Sequence, residues 1–282
     1  MNMDVGNILS ESFKYPFNDF KNFLKICILW FLPVIPIILI CLFEEESIQT
    51  VLGCIFAVLL LVVVLVIPGY FISVVKQGCN VSDSIPSIKF GKSIINTLKL
   101  IILEIVYSII PIAVFIGCFV ASGIFSLSEA DIIAENPVAL TNVLSSLAIF
   151  LVIGLIVAWI FSLIASIATA RFAKHDSLAE AFSFKALYND IKKIGVLRII
   201  GWFIVLNVVI TFVSNIAALI IFIPYVGIFV YLLFVIPYLM AVYHYSLGLL
   251  YSNVGGSDEI DDDEEFDLDE FEREIQAIKL MR

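Results

Sequence analysis

Between Ile199 and Ser257 the sequence has no Asp, Glu, Lys or Arg, a gap of 59 residues. Charge is scarce overall, at 15% of residues, where a soluble domain carries about 25%. So little polar surface cannot cover the 61% of residues that are hydrophobic. The composition therefore excludes a soluble globular domain. Paired cysteines are missing as well. Cys27, Cys41, Cys54, Cys79 and Cys118 are odd in number, form no CxxC, and fall mostly in apolar runs. Zinc, redox and disulfide frameworks lose their basis, and the thiols read as small apolar groups. No phosphate loop, GxGxxG, HExxH or basic nucleic-acid footprint is present. No catalytic residue, metal or cofactor is expected.

What is present is long apolar runs. A helix crossing the hydrocarbon needs about 20 largely apolar residues. Ile26–Phe43, Thr50–Val75 and Pro137–Ala170 contain no charge, and Leu100–Ser128 contains only Glu104. Ile199–Ser257 as one helix would be about 88 Å long, nearly three bilayer cores. It must fold back, and Ile223-Pro224-Tyr225-Val226-Gly227 marks the turn. The expectation is an all-α polytopic membrane protein with six transmembrane helices, at about 24–43, 50–75, 98–122, 143–170, 198–222 and 227–251. The runs lack two-residue alternation and are too long for barrel strands. The segment before the first run mixes acids and bases, so that run reads as a retained span rather than a signal peptide.

Basic residues set the orientation. The loops Glu44–Gln49, Leu127–Asn142 and Pro224–Gly227 contain none, and all 16 Lys and Arg fall on the other side. A multi-pass cell-membrane protein with both termini cytoplasmic follows. The net charge of −10 belongs to the end of the chain: residues 252–282 hold 12 acids and 3 bases. That tail, from residue 258, reads as an acidic cytoplasmic segment, extended at first by like-charge repulsion. Its last part places Leu268, Phe271, Ile275 and Ile278 on one helical face, so 266–282 is a candidate docking helix for a cytoplasmic partner or for this protein's own basic loops. The tail fails as an EF-hand, since Phe266 stands where the turn needs glycine.

A word recurs at an offset of 171. Ser12-Phe13-Lys14 with Phe17-Asn18-Asp19-Phe20-Lys21 matches Ser183-Phe184-Lys185 with Tyr188-Asn189-Asp190-Ile191-Lys192. A fainter copy begins at Ser87-Ile88-Lys89-Phe90. Three short cytoplasmic amphipathic helices, each ahead of a hairpin, would make a threefold repeat. Aromatics and lysines interleave in these words, and such rings favour the headgroup layer while Lys favours anionic lipid. The candidate interface anchors, with membrane lipid as the partner, are Phe13, Lys14, Tyr15, Phe17 and Lys21, then Phe182, Phe184, Lys185, Tyr188 and Lys192.

Taken in order, Ser12-Phe13-Lys14-Tyr15-Pro16, Pro68-Gly69-Tyr70, Ile85-Pro86, Ala181-Phe182-Ser183-Phe184, Ile223-Pro224-Tyr225-Val226-Gly227 and Tyr245-Ser246-Leu247-Gly248-Leu249-Leu250-Tyr251 resemble a prokaryotic, largely archaeal membrane-protein family, domain of unknown function 4013. The resemblance covers roughly residues 10–251. It implies a six-span integral membrane protein and no activity.

Polar groups inside spans are costly, so each asks for a reason. Glu104 is the one acid within a predicted span, and His244 lies in the last. With Arg198 and Asn207 they form a candidate intramembrane polar cluster on the inner-leaflet side. Such a cluster serves either a small-solute or ion transporter component, or plain structure, with Glu104 snorkelling or paired to Lys99 or Arg198. Ser122 lies near the opposite surface from His244, which excludes a serine protease pair. Two functions remain, a non-enzymatic membrane scaffold or accessory protein and the transporter component. Thiols introduced at Glu46, Ala134 and Tyr225 in a cysteine-free background should react with an impermeant maleimide outside intact cells, while one at Phe90 stays protected. The reverse pattern would overturn the topology.

Overall fold

The structure, a computed structural model, describes residues 4–126, 137–224, 226–252 and 254. The acidic tail, Tyr225 and part of the 127–142 loop lie outside the described residues. Among the described residues every regular element is helical. In chain order these are α1 (Val5–Asn18), α2 (Phe20–Phe31), α3 (Val34–Ile40), α4 (Glu46–Cys79), α5 (Phe90–Ala121) and α6 (Pro137–His175). Then come α7 (Leu178–Ala181), α8 (Phe184–Ile194), α9 (Val196–Ala218), α10 (Gly227–Val230) and α11 (Ile236–Ser252). A short 3-10 turn follows α5, and another extends α9 to Phe222. A π turn, Tyr231–Val235, joins α10 to α11.

Five helices are long and apolar enough to cross a membrane: Glu46–Cys79, Phe90–Ala121, Thr141–His175, Val196–Phe222 and Gly227–Ser252. The pair α2 and α3 makes a sixth if it is one span bent by 43°. Pro33 stands at that bend, where its missing N–H and its ring break the helical ladder.

The turn between α9 and α10 is tight. A Cβ on Gly227 would lie 1.8 Å from the Ile220 carbonyl oxygen, so the backbone closes there only with glycine. Pro68 lies inside α4, and α5 packs closely against the backbone just after it at Gly69. The Gly69 N–H donates to Thr97 Oγ1 at 2.8 Å, the substitution of side chain for backbone that apolar surroundings demand.

Buried residues gather at one end of the bundle. In α4 they run from Val63 to Cys79, while Val51, Val58 and Leu61 are exposed. In α11 they run from Pro237 to Tyr251. Leu163 to Ala173 of α6 are buried there too, while Leu144 to Ile160 expose large apolar side chains. The core is thus a root of Tyr15, Tyr70, Phe71, Trp202, Tyr245 and Tyr251. Beyond the root the helices show apolar faces outward. The root lies at the end that carries Lys76, Lys92 and Lys99.

Two of the three expected short helices exist as separate elements, α1 and α8. The middle one does not. Residues 80–89 are not helical, and Phe90 opens α5 directly. Pro86 explains this, because it lacks an N–H and pushes Ile85 towards extended backbone. The two matched words also differ in helical phase. Ser12 lies mid-helix and donates to the Ile8 carbonyl oxygen at 2.6 Å, whereas Ser183 stands just before α8.

The root is sealed by a glycine pair. A Cβ on Gly248 would come 2.2 Å from the Val75 carbonyl oxygen and 2.7 Å from the Gly78 Cα, and one on Gly78 would come 2.8 Å from the Gly248 Cα. Small residues let α4 and α11 touch backbone to backbone. Gly248→Leu should therefore lower stability by at least about 1–3 kcal/mol, the usual cost of overpacking, while Gly53→Leu, in open space, should change little. Thermal melts of the two detergent-purified variants compare them directly.

Candidate functional site

Two polar constellations occupy the root. The first is a chamber between α4, α5, α6 and α11 of about 250 Å³. Glu104, Ser162, Ser166, Thr169, Tyr243 and His244 supply its polar lining. Each is placed by a helix that is otherwise apolar. Ser166 donates to the Ser162 carbonyl oxygen at 2.8 Å, a common habit of helical serine, and also meets the Tyr243 side chain across the chamber. His244 Nδ1 lies 2.7 Å from the Met240 carbonyl oxygen, and the ring stacks on Phe71 at 4.5 Å. A carbonyl only accepts, so Nδ1 carries the hydrogen in this contact and Nε2 is left as an acceptor. A carboxyl group and an imidazole acceptor line one small space, an arrangement able to take up a proton or a small hydrogen-bonding solute.

Of the four residues expected to cluster, Glu104 and His244 meet in this chamber. Asn207 and Arg198 are not among its lining. Asn207 is exposed and donates to the Phe203 carbonyl oxygen of its own helix at 2.8 Å. Lys99 is turned away from Glu104: its Nζ donates to the Asp176 carbonyl oxygen at 3.5 Å and lies 5.8 Å over the Phe172 ring. Glu104 has no ion pair among those of the described residues.

The second constellation was not foreseen. Arg171, at the end of α6, is buried, and each nitrogen of its guanidinium has an acceptor. Nη1 donates to Asp190 Oδ2 of α8 at 2.5 Å, and Nη2 donates to Glu180 Oε2 of α7 at 2.5 Å. Nε donates to the Glu180 main-chain oxygen at 2.9 Å. The Tyr251 hydroxyl of α11 donates to Asp190 Oδ2 at 2.6 Å. One planar fork thus ties four helices together, geometry that arginine supplies and lysine does not. Arg171 beside Glu180 holds that carboxyl below its usual range. The sequence signal was present: Arg171 ends a charge-free run, with Glu180 and Asp190 in the segment that follows.

The expected interface anchors divide. Tyr15 is fully buried, stacked on Tyr245 with centroids 3.8 Å apart, and its hydroxyl donates to the Ser84 carbonyl oxygen at 3.2 Å. It is a core residue and not a surface anchor. Phe13 is half-buried, and its carbonyl oxygen accepts from the Tyr238 hydroxyl at 2.9 Å. Phe182 is half-buried against Tyr107. Phe17, Phe184 and Tyr188 are exposed, as are Lys14, Lys21, Lys185 and Lys192. Lys14 pairs with Glu11 at 3.0 Å.

An all-helical chain with a polar chamber among five or six apolar spans defines a multi-pass membrane protein. The chain belongs to the family described as protein of unknown function (DUF4013), whose sequence profile matches residues 52–223. The match is narrower than the 10–251 that the resemblance implied. It covers most of α4 and all of α5 to α9, and leaves out α1 to α3, α10 and α11. Searches of curated proteins and of solved structures find no match.

Breaking the Arg171 fork by Arg171→Met should cost about 3–5 kcal/mol, because it strands the buried Asp190 carboxylate. Adding Asp190→Leu should recover much of that loss, since a buried pair is replaced by apolar volume. Melts of the single and double variants decide this. A double variant no more stable than Arg171→Met would show that the fork does not act as a unit.

Proposed function

We propose that the protein is a six-span integral protein of the cell membrane, with both termini cytoplasmic, and that it acts as a non-enzymatic scaffold or accessory protein through lipid and protein contacts. The observation that carries this reading is the distribution of packing. The root is filled by buried aromatic rings and closed by the Arg171 fork, which suits a rigid platform better than a conduit. The far half presents apolar side chains outward, a face suited to acyl chains. The exposed Phe17, Phe184 and Tyr188, together with Lys21, Lys185 and Lys192, suit the headgroup layer. The 266–282 segment is the proposed docking element for a cytoplasmic partner, through Leu268, Phe271, Ile275 and Ile278.

A second reading, a small-solute or ion transporter component, is favoured by one observation: Glu104 and His244 share a chamber. Proteoliposomes loaded with a pH-sensitive dye separate the two. On the scaffold reading, a potassium-diffusion potential drives no more proton entry than in empty liposomes, and Glu104→Gln changes only thermal stability. Proton flux that vanishes in Glu104→Gln would overturn the scaffold.

A further inference from the structure

A second polar pocket lies at the Lys-bearing end, separate from the chamber. It holds about 260 Å³ between the last turns of α4, the extended segment 80–89 and the first turn of α5. Lys76, Lys89 and Lys92 line it with Ser73, Ser87 and Ser93. Its wall is well braced. The Tyr15 hydroxyl donates to the Ser84 carbonyl oxygen at 3.2 Å, and the Tyr245 hydroxyl lies 3.4 Å from Asp83 Oδ1. The segment leaves α4 through Val81, whose φ of 50° is rare for a β-branched residue. Ser82 N–H donates back to the Gln77 carbonyl oxygen at 2.9 Å.

Charge in the pocket does not cancel. No acid is among its lining residues; Asp176, outside the lining, pairs with two of its lysines, 3.0 Å from Lys92 Nζ and 3.9 Å from Lys76 Nζ. Lys92 holds that carboxyl below its usual range, so one negative charge stands against three ammonium groups. Asp83 is turned towards Tyr245 instead. The first turn of the 32-residue α5 adds the positive end of a helix dipole. The hydroxyls add donors. Ser12, Ser162 and Ser166 return theirs to carbonyls of their own helices, whereas Ser73 and Ser93 line the pocket. Three cations, several hydroxyls and a helix start in one small cavity match a tetrahedral oxyanion.

We propose that this pocket binds a phosphate group, carried either by an anionic lipid headgroup or by free phosphate, on Lys76, Lys89 and Lys92 with Ser87 and Ser93. The site stands whichever reading of the function holds, because it shares no residue with the chamber. Lys89 makes no ion pair among the described residues, so Lys89→Gln removes a ligand without opening the fold.

The test is titration calorimetry of the full chain in dodecylmaltoside at low salt. The probes are dihexanoyl phosphatidic acid, sodium phosphate and, as the zwitterionic control, dihexanoyl phosphatidylcholine. Saturable binding of phosphatidic acid that weakens with salt is expected, reduced about fivefold by Lys89→Gln and unchanged by Lys25→Gln, whose exposed ammonium donates to Asn22 Oδ1 away from the pocket. Ser87→Ala provides a second weakening variant should Lys89→Gln fold poorly. Binding of phosphatidic acid alone supports a lipid headgroup. Phosphate that binds and displaces the lipid supports a free-phosphate site. Three results would overturn the proposal: no saturable binding of either anion, equal binding of phosphatidylcholine, or equal loss on Lys25→Gln.

Discussion

Apolar helices immersed in hydrocarbon gain nothing by hiding apolar surface from one another, since lipid tails are as apolar as leucine. Whatever holds such helices together must come from close backbone approach and from polar groups that have no water to turn to. This chain concentrates both at one end. Gly78 and Gly248 bring α4 and α11 into contact. Arg171 gathers α6, α7, α8 and α11, and Tyr15 closes on Tyr245. Every other placement, including the chamber and the lysine pocket, depends on that root.

The spans were legible because their signal is additive. Twenty apolar residues in a row need no tertiary context to be read, and the Pro224 and Gly227 break could be placed because local backbone chemistry decides it. What could not be read was partnership. Arg171 and Asp190 are 19 positions apart and Tyr251 is 61 beyond Asp190, so their meeting follows from helix packing that no periodicity encodes. The same limit applied to Glu104, whose nearest sequence cation, Lys99, is drawn off by Asp176 and Phe172. Tyr15 misled for a related reason. An aromatic beside lysines reads as interfacial, yet α11 supplied a ring for it to stack on.

The two polar constellations divide the labour of the root. The fork is saturated: each guanidinium nitrogen has an acceptor, and the acids that meet it are held by more than one contact. Such an arrangement fixes geometry. The chamber is not saturated, because a carboxyl group and an imidazole acceptor face space. Polar groups at membrane depth with spare hydrogen-bonding capacity are where a membrane protein can respond to a proton or a ligand, whereas saturated ones keep the frame in which that response occurs.

Packing that is dense at one surface and sparse at the other also bears on how sequences of this kind drift. Residues at the Gly78–Gly248 contact of the root sit between backbones with no spare volume, so side-chain size there is constrained to within about a methyl group. Residues of the far half meet fluid acyl chains, which reshape around any apolar outline. Permitted variation should therefore rise with depth, from near invariance beside the lysines to free exchange among Leu, Ile, Val and Phe at the opposite surface.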